Sequence, residues 1–335
     1  IESAQTAIIA DTGLTETSLT SSIVSAQAAI TAFNVSDSEV KGNSTDIVNA
    51  INDHTSNTFS GNFNITNNDY TLAELKAIND VTTGEITLKI TNVALSGSSS
   101  DLAAAFAGTV TTHTGTVTVT NSDYTVSELV TINDATTGQI TLNSPGTNLT
   151  GTSGNLTSAF AGDITVHTGR VTISNGDYTV AQLKAINAAT TGNIILTDPS
   201  GNISGTSSDI VSAFAGTVTQ HTGTVTITNT NYTLAELVTI NAATDGSITL
   251  DNTGVALSGT VANFKSAFAG QVTTHTGTVT ISDASETDIT ATDITSINTT
   301  NTGTIIVSNA IDINGSGSQI KAAFDAINTN SGNAT

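Results

Sequence analysis

The residues best able to carry chemistry recur at one interval. His113, His167, His221 and His275 are each 54 residues apart, and His54 precedes His113 by 59. Histidine binds metals and moves protons near neutral pH. Placed on every second turn of a stack of strands, these rings would stand roughly 9–10 Å apart. That is too far for two of them to share one metal at ligand distances of ~2 Å. The expectation is a structural or surface role in a His-Thr-Gly turn. Cysteine is absent, which removes thiolate metal sites, cysteine nucleophiles and disulfides. Ser, His and Asp all occur, but they recur alike in every copy, whereas a catalytic triad needs one irregular, preorganised constellation. No catalytic residue is assigned, and the chain reads as a non-enzyme.

Two further polar sets keep the same period. Asp69, Asp123 and Asp177, with Asn231 in the fourth copy, precede a tyrosine at a helix start, where an aspartate is expected to cap the helix. Calcium competes for the same oxygens. There is, however, neither an EF-hand loop nor a Gly-Gly-x-Gly-x-Asp repeat, so calcium is the cofactor to consider and its ligands stay unassigned. Asn79, Asn133, Asn187 and Asn241 fall at helix ends, where the amide can satisfy backbone groups of a neighbouring turn, as asparagine ladders do.

The elements that must position these residues follow from periodicity. Tyr70, Tyr124, Tyr178 and Tyr232 share the 54-residue spacing, as do Phe106, Phe160, Phe214 and Phe268, and Gly84, Gly138, Gly192 and Gly246. Polar and apolar residues alternate over 115–120, and in the copies with Val171/Ile173, Val225/Ile227 and Val279/Ile281, which predicts a half-buried strand. A helix follows, with Leu72, Leu75 and Ile78 on one face. Thr71/Glu74, Thr125/Glu128, Thr179/Gln182 and Thr233/Glu236 form capping boxes at its start. A second strand places Ile86/Leu88, Ile140/Leu142, Ile194/Leu196 and Ile248/Leu250 inward. The second helix opens at Ser98–Asp101 and sets Leu102 one turn before Phe106. Gly108, Gly162, Gly216 and Gly270 sit where that helix needs a C-terminal glycine.

Each repeat is thus strand, helix, strand, helix. The predicted fold is an α/β solenoid of stacked β-α turns, two per 54-residue repeat, with a parallel sheet along one face and short helices along the other. A single larger coil holding two strands is the alternative. Residues 1–40, with helical spacing at Ile23, Ala26 and Ile30, read as an N-terminal cap or assembly segment. Residues 41–282 form the repeats. Residues 283–335 form a degenerate terminal repeat, in which Glu286 replaces the tyrosine and 290–298 a first helix. Ile1 is not an initiator residue and no signal peptide is evident, so a processed form or a piece of a longer chain is expected. After 319–324 another strand is due. Either the chain continues, or a neighbouring molecule supplies the next rung.

Composition limits the partners. With 7 Lys+Arg against 28 Asp+Glu, a formal charge of -21, and Arg170 the sole arginine, nucleic acid and anionic membrane surfaces are excluded as partners for want of clustered cations. No apolar stretch approaches the ~20 residues that insertion across a membrane requires. Charged residues are 10% of the chain, and the polar surface is mostly Thr, Ser and Asn. On the outward face of the first strand, Thr116/Thr118, Thr172, Thr224/Thr226 and Thr278/Thr280 would stack in rows, interrupted by Arg170. Such rows resemble the Thr-x-Thr arrays of β-helical ice-binding proteins, although β-propensity alone also places Thr in strands.

The wording Tyr-Thr-Leu-Ala-Glu-Leu-x-x-Ile-Asn-x-Ala-Thr, complete at 232–244, is followed by Ile-Thr-Leu, Leu-Ser-Gly-Thr and Ala-Phe-Ala-Gly. Over about 41–335 it resembles tandem-repeat segments of very large secreted or cell-surface proteins of marine cyanobacteria. The resemblance implies a secreted, extracellular, non-enzymatic role in a surface layer, filament or adhesive coat, and supplies no functional residues. The leading expectation is a subunit of a filament or surface-layer-like assembly that stacks head to tail with copies of itself. The alternatives are the repeat stalk of an adhesin that binds surface glycans, and ice binding through the threonine rows.

Overall fold

A computed structural model describes residues 39–53 and 58–330. The helical spacing expected before residue 39, and His54, lie outside the described residues.

The described chain is a series of short parallel strands alternating with helices of seven to ten residues. It divides into two compact units. One runs up to Thr147 and includes Ser158–Thr165, and the other takes in Asn148–Thr157 and the chain from Val166 onward.

In the first unit the strands Val40–Gly42, Phe63–Ile65 and Ile86–Leu88 form one parallel sheet, and Leu95–Gly97, Val117–Val119 and Ile140–Leu142 another. In the second, Leu149–Gly151, Val171–Ile173 and Ile194–Leu196 pair, as do Ile203–Gly205, Val225–Ile227 and Ile248–Leu250. Leu257–Gly259, Val279–Ile281, Ile305–Val307 and Thr329–Asn330 make a four-stranded sheet, and Asp288–Thr290 pairs with Asp312–Asn314. Val117 faces Ile140, 23 residues on, and Val225 faces Ile248 at the same interval. The parallel ladder therefore advances twice per 54-residue repeat, which makes two β-α units of each.

The inward set is apolar at every rung. Val117, Val119, Leu129 and Ile132 are fully buried, and so are their copies Val225, Ile227, Leu237 and Ile240. Each such side chain contributes roughly 1.5–3 kcal/mol relative to an exposed one. Both helix starts fall where the caps were read. Thr71, Thr125, Thr179 and Thr233 are N-caps with complete capping boxes, and Ser98 caps Ser99–Ala105. Gly108, Gly162, Gly216 and Gly270 adopt φ of 68–70°, the left-handed conformation that glycine takes without a Cβ penalty.

The strand count is a correction. Each repeat holds three short strands rather than two. The third, Leu95–Gly97 and its copies, buries its leucine, or Ile203 in one copy, and ends in a glycine against the preceding helix. A Cβ at Gly97 would lie 2.3 Å from Leu72 Cδ2, and one at Gly259 2.5 Å from Leu234 Cδ2. The glycine is there because the helix packs onto the strand end. A one-leucine segment offers no alternation to read.

Candidate functional site

The recurrent polar residues meet at the joints between successive β-α units. At the first joint, an asparagine that follows a strand reaches back to the preceding helix. Asn121 Oδ1 accepts from Ser99 N at 2.8 Å while its Nδ2 donates to Ser99 Oγ, and Asn67, Asn175 and Asn229 hold Ser44, Ser153 and Ser207 in the same way. An N–H left unpaired at a helix start thus gains an acceptor from the next unit. The capping-box residue of that unit joins in, since Ser99 Oγ donates to Glu128, Ser44 Oγ to Glu74 and Ser153 Oγ to Gln182 Oε1. Burial works to raise the Glu74 carboxyl, but hydrogen bonds from Thr45, Thr71 and Ser44 outweigh it and hold the group below its ordinary value.

The aspartates do a different job from the one read in the sequence. The threonines cap the helices, and Asp69, Asp123 and Asp177 accept from Asn67, Asn121 and Asn175 Nδ2, with Asn231 doing so for Asn229. They lie two residues from the asparagine and fix its amide orientation. Among the described residues no three His, Asp or Glu side chains gather as a metal-binding group.

At the second joint the asparagine at the end of one helix serves the end of the next. Asn187 Nδ2 donates to Ala213 O and Ala215 O, and Asn79, Asn133 and Asn241 repeat the pair of bonds with Ala105/Ala107, Ala159/Ala161 and Ala267/Ala269. Helix-terminal carbonyls without intrahelical partners are satisfied across units, as the asparagine ladder predicted.

The histidines form a third joint, and they are interior rather than surface residues. His113, His167, His221 and His275 have no exposed area. His113 Nε2 lies 2.7 Å from Val93 O, and His221 Nε2 2.7 Å from Gly201 O, both in the preceding unit. A carbonyl only accepts, so the ring donates from Nε2. Nδ1 faces the hydroxyl of Thr136 or Thr244 in the following unit, at 3.4 and 3.2 Å, and that hydroxyl donates to the histidine's own carbonyl. Phe106 and Phe214 rings tilt against the imidazoles, with centroids at 5.4 and 5.5 Å. Burial pushes the pKa of His113 and His221 down, and the bonds to Val93 and Gly201 oppose it only in part. A neutral ring anchored by its Nε2–H to one unit, with its own carbonyl held by the threonine hydroxyl of the next, is a brace across three units. In the fourth copy Asn301 replaces the threonine, with Oδ1 2.7 Å from His275 Nδ1 and Nδ2 donating to Gly303 O.

Three sites break the repetition. Tyr70, Tyr124 and Tyr232 donate to Ile90 O, Ser144 O and Asn252 O, but the buried Tyr178 hydroxyl has no hydrogen-bond partner. Asp283 stands where the other copies have asparagine, and its carboxylate accepts from Val261 N at 2.8 Å. The third is on the sheet face, in the row of outward residues. In two sheets that row is hydroxyl-bearing throughout, with Ser96, Thr118 and Thr141 in register, and Ser204, Thr226 and Thr249. Thr172, however, faces Ile195, and Thr280 faces Ile306. No family model matches the chain, and no curated protein matches it.

Proposed function

We propose that this chain is structural material, a subunit of an extracellular filament or surface-layer-like assembly. Its units are stretches of α/β solenoid that stack end to end with those of other molecules. The observation that carries the reading is where the repeated polar residues go. The Asn–Ser, Asn–Ala and His–carbonyl sets recur with the same partners and join unit to unit. Each joint is heterologous, because an asparagine on one side meets a helix terminus on the other, or a histidine ring meets a loop carbonyl. A contact of that type made between molecules propagates instead of closing. The resemblance to repeats of cyanobacterial surface proteins supports the extracellular location.

Electron microscopy of the purified protein at low micromolar concentration tests it. Polymers are expected. Monodisperse monomers, both with calcium and with chelator, would overturn the reading. Ice binding draws less support, because Ile195 and Ile306 interrupt the hydroxyl rows. It would require thermal hysteresis that Thr118→Lys lowers. The stalk of a glycan-binding adhesin is the second reading, favoured by the departure of one copy on the sheet face.

A further inference from the structure

The repeats are an internal control, since a position that changes in one copy while the core stays constant has been released from the common role. The buried pairs Val171/Ile173 and Ile194/Leu196 match their counterparts Val225/Ile227 and Ile248/Leu250 in type and burial. In or just before the same strands, three exposed positions depart together. Val166 stands where other copies have Thr112, Gln220 and Thr274. Arg170 replaces Thr116, Thr224 and Thr278, and Ile195 replaces Thr87, Thr141 and Thr249. Val166 and Ile195 are two of the three large apolar side chains exposed among the described residues, at 54% and 37%. Neither exposure contributes to folding.

Register places Ile195 and Arg170 in neighbouring rows of one sheet. Thr150, Thr172 and Ile195 are in line across three strands. Arg170 precedes that row by two residues, beside Asn148, whose Oδ1 accepts from Arg170 N, and beside Asn193, whose carbonyl accepts from Val171 N. At a rise of ~3.3 Å per residue, the row of Asn148, Arg170 and Asn193 lies about 7 Å from the row of Thr150, Thr172 and Ile195. The outward polar residues of these rows are neutral apart from Arg170. Lys76, Lys184, Lys265 and Lys321 are helix lysines, and each is paired with an aspartate. Among the described residues Arg170 makes no ion pair.

We propose that this face binds an extended anionic polysaccharide. The planar guanidinium offers two parallel donors to a carboxylate or sulfate. The Asn and Thr side chains offer donors and acceptors to sugar hydroxyls, and Ile195 takes the apolar C–H face of a ring. Outward side chains in line across three parallel strands suit a polymer lying across them. In a chain of net charge -21 the anionic ligand has to be met locally. Beyond a Debye length of about 8 Å at physiological salt the rest of the charge is largely screened. This inference goes beyond the structural role, and its failure leaves the assembly reading standing.

Affinity electrophoresis of the full chain, with chelator present, tests it in gels containing polygalacturonate, dextran sulfate or uncharged dextran. Polygalacturonate and dextran sulfate separate a carboxylate ligand from a sulfate one. Retardation by at least one of them, and not by dextran, is expected, and it should weaken as salt rises. Arg170→Thr restores the residue of the sister copies, so its melting curve should match the parent. Its affinity should fall by about tenfold, the scale of losing one charged hydrogen-bond pair. Ile195→Thr should weaken binding by a smaller factor. Equal mobility of parent and Arg170→Thr in every gel overturns the proposal. So does loss of polymers on Arg170→Thr without any change in polysaccharide retardation, which would make the face a contact between copies.

Discussion

Asn241 Nδ2 sits 3.0 Å from the carbonyl oxygen of Ala267, the last residue of the next helix, and 2.8 Å from that of Ala269. One amide thus closes two carbonyls that no residue of their own helix reaches. Replacing it in Asn241→Ala leaves both to water or unpaired, at a cost of about 1–3 kcal/mol. The urea midpoint should fall with an unchanged slope. A midpoint equal to that of the parent would show that water substitutes fully.

The buried histidines give a pH dependence of definite sign. Burial lowers the His113 and His221 pKa values, so between the folded values and the ordinary value of about 6.5 the unfolded chain binds more protons. The stability they confer is complete above about pH 6.5 and is lost as pH falls below it towards the folded values. Carboxylates held low, such as Glu74 and Asp293, act in the same direction but at more acidic pH. The thermal midpoint should therefore decline from pH 7 to pH 5.5, and less steeply in His113→Gln/His221→Gln. Equal slopes would remove the histidines as the cause.

The tyrosines allow a comparison among copies. The Tyr232 hydroxyl donates to Asn252 O at 2.7 Å, whereas that of Tyr178 has no partner, and burial, with the Asp198 charge second, pushes its pKa up to about 12. Tyr232→Phe should cost about 1 kcal/mol by orphaning a carbonyl, and Tyr178→Phe should be neutral or stabilising because it removes an unpaired buried dipole. Denaturation of the two variants side by side decides it. Equal losses would mean that the Tyr178 hydroxyl is satisfied after all.

Two classes of glycine should respond differently. A Cβ at Gly246 would lie 1.9 Å from the Gly223 carbonyl oxygen, backbone against backbone, while one at Gly216 meets nothing within 4 Å. Gly246→Ala should fail to give soluble, cooperatively melting protein. Gly216→Ala should cost only the left-handed backbone penalty of roughly 1–2 kcal/mol. Both would be read by calorimetry, and a cooperative transition of parental size in Gly246→Ala would contradict the close approach.

Much of this was legible from residue types alone. Thr125 and Glu128 announce a helix start because their side chains answer each other's backbone locally, and Asn187 at a helix end announces a ladder. What escaped depends on units meeting in space. Asp123 looks like a cap because it stands beside a helix start, yet it serves Asn121. His113 looks like a turn residue, and only the approach of Val93 and Thr136 from either side makes it a brace. Leu95–Gly97 has one inward side chain, so its strand character comes from pairing with Val117–Val119. The sheet-face patch was half visible, since Arg170 stood out by composition while Ile195 became its neighbour only through register.

The alternation of joints has a genetic corollary. The link from Ser207 to Asn229 serves a helix start, and the link from Asn241 to Ala267 serves a helix end, so successive units present different mating surfaces. Recombination that gains or drops a whole 54-residue copy restores every match. A half-copy event sets two like surfaces against each other. Copy number in such a gene is thus free to drift, but only in whole repeats.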